Sequence, residues 1–328
     1  MIIKTIGILG GTGFVGRRLA NRLAGQGYHL KILTRDREAH KENLILLPNL
    51  DLIETNVYDE SHLTEHLTGC DAVINLVGIL NEKGTNGEGF KKAHVDLTRS
   101  VISACQSLGI KRLLHMSALN ADTSGASHYL RTKGEAENLV HEADGILTTS
   151  FRPSVIFGPE DSFFNRFATL LKLIPGVFPL ACPDARFAPV YIDDLTSAMA
   201  QTLKDNNYYG KRLDICGNEE YTLYELLKFT VDCLGLKRMI IPLPDFFSRL
   251  QAIEFDMAGF IFNLLKFEKP FSMDNYHSLS CDSVSTQNTL GQFVDTPVSI
   301  KTVVPQYLKD KSFRSSYTHF RRSSRRSH

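Results

Sequence analysis

The sequence lacks paired cysteines, and this absence argues against two classes of protein. Its six cysteines are Cys70, Cys105, Cys182, Cys216, Cys233 and Cys281, with no CxxC pair and no Cys/His cluster at metal-ligand spacing. Neither a disulfide scaffold nor a structural zinc site is therefore expected. We predict reduced, mostly buried thiols in a cytosol-like compartment, and no metal site.

An excess of charge of one sign and long apolar runs are also missing. The 37 Lys and Arg residues against 36 Asp and Glu residues give a formal net charge of +1, so nothing in the total indicates a nucleic-acid partner. No apolar run reaches the length that spans a bilayer. The first predicted strand begins at Ile2, which leaves no room for a signal peptide. We therefore expect a cytoplasmic protein, whose 328 residues suffice for one large domain or two modest ones.

The chain opens on an apolar run that ends in closely spaced glycines. Gly10, Gly13 and Gly16 follow a predicted strand with GxxGxxG spacing and lead into a predicted helix. The first glycine permits a sharp turn, the second lets the backbone approach a diphosphate, and the third lets helix and strand pack closely. A tight turn without a ligand is the alternative, but the position between strand and helix favours dinucleotide binding. The residues assigned to this turn are Gly10, Thr12, Gly13, Phe14, Val15, Gly16 and Arg17.

The end of the second predicted strand, residues 29–34, bears on the choice between NAD and NADP. NAD-binding proteins usually carry an acid here for the ribose 2′-hydroxyl, whereas an arginine suits a 2′-phosphate. Arg35 occupies this position, and together with Arg17 it favours NADP(H) as the cofactor. The neighbouring Asp36 keeps NAD(H) open.

Strands and helices alternate along the first half of the chain. Predicted strands cover residues 50–55, 72–77, 112–116 and 147–152, and predicted helices cover residues 59–67, 90–108 and 129–141. This alternation predicts an α/β fold, namely a doubly wound parallel sheet of the Rossmann type. Further cofactor contacts are assigned to residues that follow or end these strands, which are Asn56, Val57, Leu76, Val77, Gly78, Met116, Pro153 and Val155.

A polar, glycine-rich loop over residues 81–89 follows the fourth predicted strand. Loops after the carboxyl ends of parallel strands lie on the ligand side of an open sheet. We weigh a mobile lid and a plain surface loop equally.

Tyr129 and Lys133 lie four residues apart on the predicted helix after the fifth strand, so they share one helix face. A lysine ammonium favours the phenolate and lowers a tyrosine pKa from about 10, which suits proton transfer to or from a carbonyl. The same YxxxK spacing recurs at Tyr224 and Tyr307, which we interpret as helix-surface pairs. The predicted catalytic residues are Tyr129, Lys133 and Ser117, and the first two are also predicted cofactor contacts.

Four motifs in this order resemble those of extended short-chain dehydrogenases/reductases, over roughly residues 1–310. They are the glycine motif, Tyr129-xxx-Lys133, residues 152–159 and residues 189–195. Within that superfamily, residues 115–122, 129–133 and 157–168 are similar to the atypical branch that contains the NADPH-binding accessory subunit of respiratory complex I and its bacterial relatives. The resemblance implies a bound NADP(H) and an NAD-dependent epimerase/dehydratase-like fold.

The sequence departs from the active members of that superfamily at two positions. Ala118 stands where they commonly carry the second serine or threonine that polarises the substrate carbonyl, which leaves Ser117 as the donor. His94 stands where an asparagine is usual. Losing one donor to a developing oxyanion costs about 10²–10³ in rate. The resemblance therefore implies a slow or silent site unless Ser117 or Thr123 substitutes.

We predict three parts in the chain, of which the division into lobes follows from the resemblance. Residues 1–157 form the Rossmann domain, to which residues 188–217 return, and residues 158–312 form a smaller C-terminal substrate lobe. Residues 313–328 carry five arginines and no acid, and this basic tail is predicted to be disordered.

Residues 245–267, if helical, have one narrow polar stripe and a wide apolar arc. Packing inside the substrate lobe is the favoured interpretation of this arc. The alternative is an exposed surface for a lipid-like substrate, a membrane or a partner. Because the basic tail adds attraction to anionic lipid, we predict peripheral association with the inner face of a membrane or with a respiratory complex.

Three functions follow from these observations. The first is an NADP(H)-dependent oxidoreductase that acts on an apolar carbonyl or quinone-like compound. The second is a structural or assembly subunit in which the nucleotide serves as a folding ligand. The third is a nucleotide-sugar epimerase or dehydratase, against which the apolar arc and Ala118 argue.

Overall fold

A seven-stranded parallel sheet forms the centre of the fold in the computed structural model, which describes residues 2–39, 44, 47–82, 84–258, 269 and 271–309. The strands are β1 (Thr5–Leu9), β2 (His29–Thr34), β3 (Leu50–Glu54), β4 (Ala72–Asn75), β5 (Arg112–Met116), β6 (Leu147–Pro153), β7 (Ile156–Phe157), β8 (Val177–Leu180), β9 (Arg186–Phe187), β10 (Val190–Tyr191), β11 (Lys211–Ile215), β12 (Tyr221–Thr222) and β13 (Met239–Pro242). The sheet has the order β11-β6-β5-β4-β1-β2-β3, with every neighbouring pair parallel. The predicted doubly wound α/β arrangement is confirmed.

The helices connect these strands and form much of the C-terminal lobe. They are α1 (Phe14–Gly25), α2 (Glu60–Leu67), α3 (Glu88–Lys91), α4 (Leu97–Ser107), α5 (His128–Glu142), α6 (Phe164–Leu173), α7 (Ile192–Thr202), α8 (Leu223–Leu234), α9 (Asp245–Met257), α10 (Met273–Leu279) and α11 (Ile300–Lys309). The single helix predicted over residues 90–108 begins two residues earlier, and a π-helical segment at Lys92–Asp96 joins α3 to α4.

Helices cover both faces of the sheet because its strands carry apolar side chains on both. Ile8 and Leu9 are consecutive in β1 and point to opposite faces. Ile8 packs in a core with Leu19 of α1 and α7, whereas Leu9 packs in a second core with Leu63 of α2 and Val101 of α4. The carboxyl ends of the strands are left at one edge, where ligands bind in open α/β sheets.

The strand boundaries follow the apolar runs closely. β2 and β5 have the predicted ends, and β6 is one residue longer than predicted. β4 ends at Asn75, two residues earlier than predicted, because the Asn75 side chain accepts a hydrogen bond from the Val77 N–H at 3.1 Å and turns the chain.

A separate apolar core holds the C-terminal lobe together. It includes Phe157, Phe164 of α6, Leu226 of α8 and Val304 of α11. Tyr307 of α11 also lies in this core, and its hydroxyl donates to the Asp161 carboxylate. The interpretation of Tyr307 as half of a helix-surface pair is therefore wrong. The segment that contains α7 and β11 lies, in sequence, between two parts of this lobe. It returns to the central sheet, since α7 packs on α1 and β11 pairs with β6.

Helix α9 differs from the favoured prediction. It spans Asp245–Met257 and buries the small side chains of Ser248 and Ala252. Its exposed large side chains are Phe246, Phe247, Leu250, Ile253 and Met257. The interpretation that the apolar arc packs inside the lobe is therefore wrong for this part of the chain. Residues 259–267 of the predicted helix and the predicted tail over residues 313–328 lie outside the described residues.

The six cysteine side chains are unpaired, and those of Cys70, Cys105, Cys216 and Cys233 are buried. Burial raises the pKa of each of these four thiols, which leaves them protonated near neutral pH. Over the described ranges, we find no helix with the length and apolarity to cross a bilayer. The same residues contain no group of three or more His, Cys, Asp or Glu side chains that could hold a metal ion.

Candidate active site

The glycine turn between β1 and α1 is closed by its own backbone. Gly10 has a φ of +74°, and its carbonyl accepts the Gly13 N–H at 3.1 Å. A Cβ on Gly16 would lie 2.3 Å from the Gly10 oxygen, and one on Gly10 would lie 3.0 Å from the Leu76 carbonyl carbon. The three glycines therefore let α1, β1 and the turn after β4 approach one another to distances that side chains would prevent.

This turn fits a diphosphate. Gly13 caps α1 without any side-chain hydrogen bond, and the first turn of α1 carries no acidic residue. The N–H groups at this helix end are thus free of acidic competitors at the positive end of the helix dipole. A phosphate at a helix N-terminus needs this arrangement.

Two side chains of the glycine turn contact the C-terminal lobe. Phe14 lies against Gly158, where an added Cβ would approach its ring to 3.1 Å. The Arg17 guanidinium pairs with the Glu160 carboxylate and donates to the Thr12 carbonyl at 3.2 Å. Phe14 and Arg17 therefore join α1 to the C-terminal lobe, and their contribution to cofactor binding stays a prediction, as does that of Val15, which packs against the core.

The other predicted cofactor contacts follow strand ends at the same edge. Arg35 is exposed directly after β2. Asn56 is exposed after β3, and Val57 beside it is buried in the core. Leu76 and Val77 lie against Gly10 in the turn after β4. Met116 ends β5, Pro153 ends β6, and Val155 follows β6.

Lys133 on α5 is buried beneath the turn after β4. It is 4% exposed, and its Nζ donates to the Met116 carbonyl at 3.0 Å. A Cβ on Gly78 would come within 2.9 Å of Nζ, so the glycine leaves room for this lysine. Burial lowers the pKa of Lys133 to about 8, although the Glu137 carboxylate opposes this shift.

Tyr129 lies one turn before Lys133 and packs edge-on against two rings, those of Phe90 and His94, with ring centroids 6.1 and 5.7 Å away. Burial of the phenol, together with the charge of Asp274, raises the pKa of Tyr129 to about 12. The pKa thus moves upward, opposite to the lowering by Lys133 that the sequence suggested. The tyrosine is a protonated phenol at neutral pH and can act as an acid.

His94 occupies the expected asparagine position and has a defined tautomer. Its Nε2 accepts the Ile79 N–H at 3.1 Å, so the proton is on Nδ1, which donates to the Thr132 hydroxyl at 2.9 Å. Burial and the charge of Lys133 lower the pKa of His94 to about 2. The neutral ring therefore fixes the loop after β4 relative to α5.

Ser117 is placed as predicted at the carboxyl end of β5, where it is 3% exposed. Its Oγ and the Asn81 Oδ1 are buried without a hydrogen-bond partner among the described residues. Buried polar atoms without partners are uncommon in folded proteins and often mark sites that a ligand completes. Thr123 is exposed, so the buried Ser117 is the better candidate donor.

The loop over residues 81–89 bridges the two lobes. The Glu82 carboxylate accepts the Gly87 N–H at 2.7 Å and the Gly89 N–H at 2.8 Å. On the outer side, Asn275 donates to the Leu80 carbonyl at 3.3 Å. The two Glu82 contacts close the described part of the loop, which excludes Lys83, on itself, and the Asn275 contact ties Leu80, directly before the loop, to the C-terminal lobe.

Asp274 of α10 is a site residue that the sequence analysis missed. Its carboxylate accepts the backbone N–H groups of His128 and Tyr129 at 2.6 and 3.2 Å. The Ser127 hydroxyl accepts the next free N–H, that of Leu130, at 3.1 Å. The C-terminal lobe therefore caps the helix that carries Tyr129 and Lys133, with an acceptor 145 residues away from Tyr129 in the chain.

A cavity of about 270 Å³ lies beside the start of α5. Its charged lining residues are Glu82, Arg131, Asp256, Lys269 and Asp274. Lys269 is 7% exposed and donates to the Asp256 carboxylate at 2.8 Å and to the Gly84 carbonyl at 3.3 Å. The charges in this cavity thus partly neutralise one another, and its polarity contrasts with the apolar substrate that the sequence suggested.

We expect Asp274→Ala to lower both stability and turnover. Loss of the carboxylate that accepts two backbone N–H groups at a helix N-terminus costs about 1–2 kcal/mol, and a shift at the start of α5 moves Tyr129 from its position. Asp59→Ala is the matched control, because Asp59 caps α2 through the Ser61 and His62 N–H groups. Thermal unfolding should report a loss for both variants, and steady-state kinetics a loss of kcat for Asp274→Ala alone. Equal kcat in the two variants would contradict a positioning role.

The chain is similar to several known proteins over most of its length. The profile of the "NAD dependent epimerase/dehydratase family" matches residues 6–216. The "NADH dehydrogenase [ubiquinone] 1 alpha subcomplex subunit 9, mitochondrial" of Mus musculus is 28% identical over 307 residues, which cover 90% of this chain and 78% of that protein. A "Ceramide reductase" of Caulobacter vibrioides is 25% identical over 240 residues, 73% of this chain and 74% of that protein.

Among solved structures, a UDP-glucuronic acid 4-epimerase from Bacillus cereus, in complex with UDP-glucuronic acid and NAD, superposes with a TM-score of 0.72. The match covers 94% of this chain and 100% of that chain at 16% sequence identity. This likeness shows the shared fold.

Proposed function

This chain belongs to the NAD dependent epimerase/dehydratase family, and on that basis we propose that it is an NADP(H)-dependent reductase of an apolar carbonyl or quinone-like compound. The observation that carries the proposal is that the half-buried Tyr129 and the buried Lys133 share α5 at the ligand edge of the sheet, where an unpartnered Ser117 hydroxyl lies at the end of β5.

The roles of these side chains follow from their chemistry. A reduced nicotinamide, when bound, supplies a hydride to the carbonyl carbon. Tyr129 gives its phenolic proton to the carbonyl oxygen, so that hydride and proton together yield the alcohol. Ser117 donates a hydrogen bond to the same oxygen as negative charge develops on it. Lys133, with three N–H donors, holds the ribose hydroxyls.

The proposed reductive direction uses Tyr129 as the acid. Its phenol is protonated at neutral pH both at the ordinary pKa of about 10 and at the raised pKa of about 12. Activity that needs this proton is retained below the folded-state pKa and lost only as pH rises through it.

The substrate class rests on a relative rather than on the cavity. The Caulobacter protein is named for a lipid substrate, and an apolar carbonyl compound is consistent with that likeness. The polar cavity beside α5 does not by itself select such a compound, so we assign it to no part of the substrate.

NADP(H) is the favoured nucleotide because of two side chains after β2. Arg35 is exposed directly after β2, where proteins of this fold that bind NADP carry an arginine for the 2′-phosphate. Asp36, the acid that could bind a 2′-hydroxyl instead, accepts the Ala39 N–H at 2.9 Å and so helps to form the loop.

We expect Arg35→Ala to weaken NADPH binding by about 10- to 100-fold, because a charge-assisted hydrogen bond to phosphate contributes about 1.5–3 kcal/mol. NADH has no 2′-phosphate, so its affinity should change less than about twofold. Arg37→Ala is the control, because Arg37 is equally exposed two residues later. Calorimetric titration of both nucleotides measures the effect, and an equal loss for NADPH and NADH would count against this role of Arg35.

The proposed activity is tested by purifying the protein, analysing it for co-purified NADP(H), and following NADPH oxidation with a panel of apolar aldehydes, ketones and quinones. Turnover with any member supports the reductase. Bound nucleotide without turnover across the panel supports the second candidate function.

That second function is a nucleotide-binding subunit of a respiratory complex. The mitochondrial relative matches 90% of the chain, and Ala118 removes one donor from the site. In this case the nucleotide stabilises the fold by mass action. Under either function we place the protein in the cytoplasm, with peripheral association at the inner face of a membrane.

A further inference from the structure

The C-terminal lobe presents an apolar face that is unusual for a surface exposed to water. The described part of the chain has twelve exposed large apolar side chains, and nine of them belong to α6, β8, β13 and α9. Those nine are Leu173, Val177, Met239, Ile241, Phe246, Phe247, Leu250, Ile253 and Met257, and we call them the apolar face. Single exposed apolar residues are ordinary, but a cluster of this size marks an interaction surface.

Helix α9 contributes to this face because its large apolar side chains point away from the protein. The side turned to the protein holds Ser248 and Ala252, and the Ser248 hydroxyl accepts the Cys182 N–H at 3.2 Å. The opposite side carries a stripe that begins at Phe246 and ends at Met257, which are 72% and 80% exposed. A helix that only packed on its lobe would turn these large side chains inward.

The strand pair β8 and β13 extends the same face. Val177 is paired with Met239, and Pro179 with Ile241, in parallel register. Side chains two residues apart lie on one side of a strand, so these four residues form one exposed apolar surface, while Phe178 lies in the core. Only a short turn separates β13 from α9, which makes the strands and the helix continuous.

The charges around the strand part of this face are positive. Residues 171–180 and 234–244 contain three cations, Lys172, Lys237 and Arg238, and no acid. On α9, Arg249 adds an exposed cation while Asp245 and Glu254 add exposed acids, so the positive charge is confined to the strand part of the face.

We propose that the apolar face docks the protein onto a lipid bilayer rich in anionic headgroups. Phe and aliphatic side chains enter the boundary between headgroups and acyl chains, and lysines and arginines beside them contact the anionic lipid. A second copy of the chain fits less well, because a two-fold contact centred on the strand part of this face would bring the same cations together. None of the nine side chains of the apolar face lines the cavity beside α5, so docking through this face leaves the lining of that cavity unchanged.

Vesicle co-sedimentation of the full-length protein tests this surface. The probes are vesicles of phosphatidylcholine alone and vesicles of phosphatidylcholine mixed with phosphatidylglycerol. We expect the protein to sediment with the mixed vesicles and to be released by added salt. The double variant Phe246→Ser with Met257→Ser should reduce the partition coefficient at least about tenfold, because each side chain loses its burial in the acyl region.

Ile2→Ser is the matched control, because Ile2 is a similarly exposed apolar side chain, 79% exposed, on the other lobe. Its partition should equal that of the unchanged protein. Calorimetric NADPH binding and the thermal midpoint show that each variant is folded, independently of lipid. The proposal is overturned if the unchanged protein stays in the supernatant with both vesicle types, or if the double variant sediments as well as Ile2→Ser does. It is also overturned if light scattering shows an oligomer that the double variant dissociates and that does not bind vesicles.

Discussion

Gly16→Ala is expected to weaken nucleotide binding more than about 100-fold. The added methyl group would lie 2.3 Å from the Gly10 oxygen and 2.5 Å from the Gly11 Cα, and both are backbone atoms that cannot rotate away. The turn must therefore open, and the N–H groups of α1 leave the positions in which they can cradle a diphosphate. Calorimetric titration with NADPH and with NADH measures the loss.

The same helix provides the control. Gly25 ends α1, and a Cβ built there meets no atom within 4 Å. Gly25→Ala should leave nucleotide affinity unchanged and raise stability slightly, because alanine restricts the unfolded chain. If Gly16→Ala binds as tightly as Gly25→Ala, the glycine turn is not the nucleotide site. If the unchanged protein gives neither heat nor a thermal shift with either nucleotide, the proposed function fails as a whole.

Tyr129→Phe is expected to reduce turnover by about 10²–10⁴-fold, the range that a positioned acid contributes. The fold should tolerate the change, because the Tyr129 hydroxyl makes no hydrogen bond to the described residues, and a phenyl ring keeps the contacts with Phe90 and His94. NADPH affinity should change less than about threefold. The measurement is single-turnover NADPH oxidation with whichever carbonyl compound proves active.

Tyr224→Phe is the matched control for this variant, since Tyr224 begins the YxxxK pair on α8 within the C-terminal lobe. It should retain full turnover. Unchanged turnover in Tyr129→Phe would remove Tyr129 as the acid, whereas loss of nucleotide binding in the same variant would assign it to cofactor binding instead.

Features that depend on neighbouring residues could be predicted from the sequence. The run from His29 to Thr34 gives a strand with the predicted ends, and the glycine spacing gives the strand–turn–helix. The placement of Ser117 at the end of β5 and of Lys133 on α5 also follows, because the order of elements brings the carboxyl ends of parallel strands to one edge.

Features that depend on distant contacts could not be predicted. The direction of the Tyr129 pKa shift is set by burial and by Asp274, whose approach to α5 depends on how the C-terminal lobe folds back. The prediction that the apolar side of α9 packs inside the lobe was wrong for a related reason. The apolar stripe in a sequence predicts which side chains share a face, but the side that faces the lobe depends on distant contacts such as the hydrogen bond from the Cys182 N–H to Ser248.

The cap on α5 limits how this protein can be divided or recombined. Residues 6–216 carry the family match, yet the carboxylate that holds the first turn of α5 is Asp274, beyond that segment. A shortened protein that ends after β11 would leave the backbone N–H groups of His128 and Tyr129, at the N-terminus of α5, without their acceptor. A chimera that takes its C-terminal half from another member of the family must supply an acid at the equivalent place. The N-terminal cap of α5 is formed by a residue from the C-terminal half, so neither half contains the complete cap.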